Sequence, residues 1–146
     1  MDGHRAGPAG GARYVLDRLL IPTVLLWGAL AAAGALGAVT RYLIGGAIQG
    51  RSRGSFPWGT LAVNVSGSLL LGVMLGLSRE QAAGWGPFVV VGIGFCGAYT
   101  TFSTFTIETV VLAEAGRYRA AVTNVLACTG AAMAAVVIGI MIGSRL

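Results

Sequence analysis

Gly94-Phe95-Cys96-Gly97-Ala98-Tyr99-Thr100-Thr101-Phe102-Ser103-Thr104-Phe105 interrupts a long apolar segment in a chain of 146 residues. A plain membrane helix would carry Leu, Val and Ala here. Instead there are glycines, which weaken a helix, and then hydroxyls at Thr100, Thr101, Ser103, Thr104 and Thr106. Phe102 and Phe105 stand three apart, a spacing that puts them on one helical face. Helix breaks and polar groups at membrane depth are tolerated only where protein or a water-filled cavity satisfies them. The stretch is therefore the first candidate for an ion or substrate path.

The rest of the chain fits a membrane setting. It is 55% hydrophobic and only 10% charged, against about 25% charged in soluble domains. Such a chain cannot clothe a water-facing surface. The net charge of +5 comes entirely from arginine and five acids. The arginines fall mostly in the N-terminal tail and the loops, where anionic headgroups are the simpler partner. Nucleic acid is not expected as a partner. Cys96 and Cys128 both lie in apolar segments, so neither a structural disulfide nor a metal cluster is expected from them. His4 reads as a solvated tail residue. No cleavable signal pattern precedes the first apolar segment.

A span needs about 20 apolar residues, and four segments qualify. They run from about Thr23 to Ile48, Pro57 to Leu77, Pro87 to Ala113 and Tyr118 to Ile142. The expected organisation is a polar tail over residues 1–22 and a four-span domain over 23–143. Pro22, Pro57 and Pro87 each stand near a helix start, where the missing N–H costs little. The loops are too short for a soluble domain, so extramembrane catalysis is excluded. Gly72-Val-Met-Leu-Gly76 and Gly139-Ile-Met-Ile-Gly143 have the spacing that lets helix backbones approach closely. Four thin helices enclose little volume, so an ion path calls for a second subunit.

The arginines are nearly balanced across the membrane. Arg5, Arg13, Arg18, Arg79 and Arg145 fall on one side, and Arg51, Arg53, Arg117 and Arg119 on the other, with Arg41 deeper in the first span. Orientation normally follows a clear excess. Near-balance points to insertion both ways, or to a partner of opposite orientation.

Asn64 lies within the second span, where an amide is costly unless paired. Its NH2 can donate two hydrogen bonds, which suits an anion as well as it suits a helix–helix tie. Arg41 either snorkels to the interface or places positive charge in an anion vestibule. Glu108 could pair with an arginine, with hydroxyls, or serve as a structural tie. An aromatic edge is electropositive, so Phe102 and Phe105 could turn ring edges to a small anion beside the hydroxyls. Gly92, Gly94 and Gly97 invite an unwound segment whose free carbonyls could hold a monovalent cation; a simple kink is the other reading.

Three motifs then resemble one family. They are Gly-x-x-x-Arg-Tyr at Gly37–Tyr42, Phe-Pro-x-Gly-Thr-Leu-x-Val-Asn-x-x-Gly at Phe56–Gly67, and the Gly94–Phe105 run itself. Together they resemble the CrcB/Fluc fluoride channels over roughly Ala31 to Gly143. The resemblance implies an all-α membrane protein: four transmembrane helices with a break in the third, paired as an antiparallel dimer of one dual-orientation chain or of two homologous chains. It implies passive fluoride efflux across the cell membrane, with no enzymatic activity. It implies anion pathways through Asn64, Phe102, Phe105, Ser103, Thr104 and Arg41. It also implies a structural sodium ion at the dimer centre on the backbone carbonyls of Gly97 and Thr100. One departure stands out. Where the family usually places Tyr and then Ser in the fourth span, this chain has Asn124 and Cys128, and cysteine is a weak donor.

Two other functions compete. A small proton-coupled exporter would need a carboxylate in the first span, which has none. A non-conducting subunit of a paired fluoride channel would explain Asn124 and Cys128. No ATP-binding motif is present, and there is no lysine at all.

Overall fold

The computed structural model describes residues 21–52, 54–79 and 85–146. Four helices among them are long and apolar enough to cross a membrane. We number α1 (Ile21–Arg51), α2 (Trp58–Arg79), α3 (Ser103–Glu114) and α4 (Tyr118–Gly143). α3 is only the second half of the third span. The first half is a short turn (Trp85–Pro87), a π-helix (Phe88–Cys96) and one turn of α-helix (Gly97–Tyr99). The stretches long and apolar enough to span run Pro22–Arg51, Trp58–Ser78, Phe88–Glu114 and Tyr118–Gly143. The polar tail, His4, Arg53 and much of the arginine balance lie outside the described residues.

The exterior is apolar in the way lipid requires. Leu126 is 68% exposed and Trp27 66%, and α1 presents Leu36, Val39 and Leu43 outward. At 1.5 Å per residue, the 31 residues of α1 reach about 46 Å, past the roughly 30 Å hydrocarbon core.

Glycine sets the tightest helix contact. α2 and α4 run against each other backbone to backbone. A Cβ on Gly76 would lie 2.7 Å from the Ile140 carbonyl oxygen and 2.8 Å from Gly143 Cα. A Cβ on Gly72 would overlap the Val136 carbonyl, and one on Gly139 the Leu69 carbonyl. The two Gly-x-x-x-Gly motifs therefore face each other within one chain. Lipid gives no hydrophobic drive for helix association, so close van der Waals packing of this kind supplies it.

Short connections place the other pieces. Gln49 closes the α1–α2 loop: its Nε2 donates to the Phe56 carbonyl at 3.1 Å, and the Gly59 N–H donates to its Oε1 at 3.1 Å. Gly116, at φ +72°, ends α3. The Arg117 N–H then reaches back to the Leu112 carbonyl at 2.9 Å, a helix stop that needs a left-handed residue. The chain turns at once into α4, and α3 lies along it.

The break is at the threonines, downstream of the glycines. Gly92 and Gly94 stay inside the π-helix and serve packing: a Cβ on Gly94 would meet Leu30 at 3.0 Å. The helix stops at Thr100, which is extended (φ −77°, ψ 161°). Its hydroxyl donates to the Cys96 carbonyl at 2.9 Å, and its N–H reaches the same carbonyl at 3.0 Å. Thr101 Oγ1 then accepts the Thr104 N–H at 3.2 Å, capping the start of α3. Hydroxyl side chains compete for backbone partners and so favour helix ends. That competition fixes the break three residues beyond the last glycine.

Candidate functional site

Asn64 is buried on α2 and faces the break. Its Oδ1 accepts the Thr101 N–H at 2.7 Å, and its Nδ2 donates to the Thr101 carbonyl at 3.0 Å. One side-chain amide thus satisfies both backbone groups of the same residue. Nδ2 also approaches Cys128 Sγ on α4 at 3.3 Å. The amide is a tie between α2, the third span and α4. Without it, the backbone at Thr101 would be stranded at membrane depth, where each unsatisfied group costs several kcal/mol.

A groove of about 340 Å³ opens beside this tie, lined by Asn64, Ser68, Phe102, Phe105, Cys128 and Thr129 among others. Phe102 is 78% exposed, and its ring centroid lies 5.9 Å from that of Phe105, with the planes tilted by 46°. A large aromatic standing this far out beside a buried amide has one side open to a neighbour.

A second cavity of about 390 Å³ lies on the other side of the break, between α1, α2 and α3. Arg41, Thr60, Thr101, Thr104 and Glu108 line it. Thr60 Oγ1 donates to Glu108 Oε1 at 2.9 Å. Glu108 Oε2 and Arg41 Nε are both buried without a hydrogen-bond partner. Glu108 is therefore paired with a hydroxyl. Thr101 Oγ1 lies 3.0 Å from Thr104 Oγ1 as donor, which leaves the Thr104 proton free to turn into this cavity. Ser103 is exposed, with its Oγ 3.4 Å from Thr101 Oγ1.

Asn124 and Cys128, four apart on α4, are both buried but point to different places. Cys128 is on the groove wall. Asn124 is 1% exposed and faces α3, where its Nδ2 donates to Thr109 Oγ1 at 2.8 Å. The amide holds two helices together.

Gly97 and Thr100 were expected to offer carbonyls to a cation. In an α-helix each carbonyl accepts the N–H four residues on. For Gly97 that donor is the Thr101 N–H, which goes to Asn64 instead. For Thr100 it is the Thr104 N–H, which goes to Thr101 Oγ1. Both carbonyls are thus deprived of their helical partners, and Gly97 lies at the exposed surface. This donor set, two backbone oxygens at a helix interruption, fits a monovalent cation. Among the described residues no group of three or more His, Cys, Asp or Glu is placed to hold a metal ion.

Sequence reasoning missed Thr60 and the backbone of Thr101. Thr60 was findable, since it stands four residues before Asn64 and so shares its helical face. Nothing local marked Thr101 as the partner of Asn64.

Residues 28–140 match the family described as CrcB-like protein, Camphor Resistance. Among similar chains is one of Symbiobacterium thermophilum called fluoride-specific ion channel FluC 1. It is 46% identical over 121 residues, covering 80% of this chain and 96% of the relative. Another, the fluoride-specific ion channel FluC of Nitrobacter winogradskyi, is 45% identical, covering 78% and 91%. A third, FluC of Geobacter sulfurreducens, is 40% identical, covering 81% and 96%.

Proposed function

Because this chain belongs to the CrcB-like family, we propose that it is a fluoride-selective channel of the cell membrane, not an enzyme, and that it lets fluoride leave the cytoplasm passively. The relatives named as fluoride channels span nearly their whole length on it. The observation that carries the reading is the tilted Phe102–Phe105 pair, with Phe102 exposed, in a groove walled by Asn64 and Cys128. Fluoride holds its hydration shell tightly, so a selective path must replace that shell with closely placed donors. Ring edges of Phe102 and Phe105 supply them in the groove, and the hydroxyls of Ser103 and Thr104 supply them beyond it toward the second cavity, without fixed charge that would trap the ion. Arg41 brings positive potential to the mouth of the second cavity.

Residues 23–143 form the channel domain, with residues 1–22 a polar tail. The active unit is an antiparallel dimer, because Phe102 and Gly97 face outward and a second copy would cover them. A sodium ion at the dimer centre would bind the carbonyls of Gly97 and Thr100. That ion would supply a fixed positive charge near the paths; the chain's own part is to hold the two carbonyls free. Hydrogen fluoride enters cells as the neutral acid and dissociates. A negative-inside potential then drives the anion out, at about 2.3 kcal/mol per 100 mV.

A second reading is favoured by one contact. The sulfur of Cys128 sits on the groove wall, where it accepts an Asn64 N–H, and its own S–H is a weak donor. In that reading the chain is one half of a heterodimer whose homologous partner keeps the conducting path. Fluoride release from liposomes holding this chain alone supports the homodimer. Silence that a co-reconstituted homologue relieves supports the heterodimer.

A further inference from the structure

We propose that Asn64 is a positioning residue that creates the cation site, by drawing the Thr101 N–H away from the Gly97 carbonyl. This rests on the fluoride-channel reading above and deepens it, since it assigns Asn64 a task other than touching the anion. The amide is already spoken for. Its oxygen holds the Thr101 N–H at 2.7 Å, and its nitrogen is shared between the Thr101 carbonyl at 3.0 Å and Cys128 Sγ at 3.3 Å. An amide has two N–H donors and one carbonyl, so little is left for an ion in the groove.

The Thr101 N–H is the natural helical donor to the Gly97 carbonyl. While Asn64 holds it, the turn Gly97–Tyr99 cannot continue into α3, and the Gly97 oxygen stays available. Remove the amide, and the stranded N–H is left to the acceptor that regular helix geometry would give it, that same oxygen, once Thr100 leaves its extended conformation. The helix would heal by one bond, and a cation ligand would be lost. Thr101 supports this from its other end, because its hydroxyl takes the Thr104 N–H that would cover the Thr100 carbonyl. Thus one residue pair, Asn64 and Thr101, keeps both carbonyls free.

The test is made on the full chain in liposomes, with sodium varied against N-methylglucamine. Asn64→Ala should raise the sodium concentration for half-maximal fluoride flux by tenfold or more. Replacing the Thr101 amide by an ester, by suppression with the matching hydroxy acid, removes the same N–H without touching any side chain. It cannot cover Gly97, so sodium dependence should stay near that of the parent. Hydrogen exchange provides the readout that needs no conduction: the Thr101 amide should be protected in the parent, and still protected in Asn64→Ala, through Gly97. An unchanged sodium half-saturation in Asn64→Ala would overturn the proposal, as would free exchange at Thr101 in that variant. If Asn64→Ala does not fold, Asn64→Asp serves, since its carboxylate still accepts the N–H; sodium dependence like the parent's is then expected, and a tenfold loss would overturn it. A parent chain that releases no fluoride either alone or beside a homologous partner defeats the channel reading, while the exchange result still judges this one.

Discussion

Thr60 on α2 donates its hydroxyl to Glu108 Oε1 on α3 across 2.9 Å, inside a cavity shared with Arg41. The other carboxylate oxygen is buried and has no partner. Removing the one donor leaves the whole group unpaired. Thr60→Val should therefore destabilise the purified protein by about 1–3 kcal/mol, the cost of a buried acceptor left unsatisfied, whereas Thr60→Ser should stay near the parent. Thermal unfolding in detergent measures both.

The glycine contact between α2 and α4 gives a paired prediction. A methyl group at Gly72 would overlap the Val136 carbonyl, but one at Gly130 would meet nothing within 4 Å. Gly72→Ala should cost about 1–3 kcal/mol through forced backbone displacement. Gly130→Ala, in the middle of α4, should be neutral or stabilise by about 0.5–1 kcal/mol through lost chain freedom in the unfolded state. The order of their unfolding temperatures checks the helix pairing directly.

Thr101 caps α3 through its hydroxyl. Thr101→Val keeps the shape and loses the acceptor, so it should cost about 1 kcal/mol, as for other helix caps. Thr101→Ser should retain most of the stability. The comparison is made by thermal unfolding alongside the Thr60 pair.

Phe102 is largely exposed in the single chain, so its replacement should spare the fold of the protomer. Phe102→Ile should leave helix content unchanged by circular dichroism and cut fluoride release from liposomes by at least tenfold. Retained flux would remove Phe102 from the pathway.

Four spans were legible because hydropathy and proline placement act locally. So were the polar positions, since an amide or a run of hydroxyls in an apolar segment stands out by composition alone. The exact place of the break was not legible. Glycine content pointed to Gly92–Gly97, but Gly92 makes room for Phe88 and Gly94 for α1, and threonine side chains end the helix. The partner of Asn64 was hidden as well, because it lies 37 residues away and is a backbone group with no side-chain signature. The two Gly-x-x-x-Gly motifs could be seen, yet that they bind each other within one chain depends on tertiary packing.

The most direct measurement is fluoride release from liposomes holding the purified chain, with potassium ionophore added to carry the compensating charge. The account predicts rapid fluoride release and retained chloride, from the chain alone or beside a homologous partner. Fluoride and chloride released at equal rates, or no fluoride release under either arrangement, would contradict it.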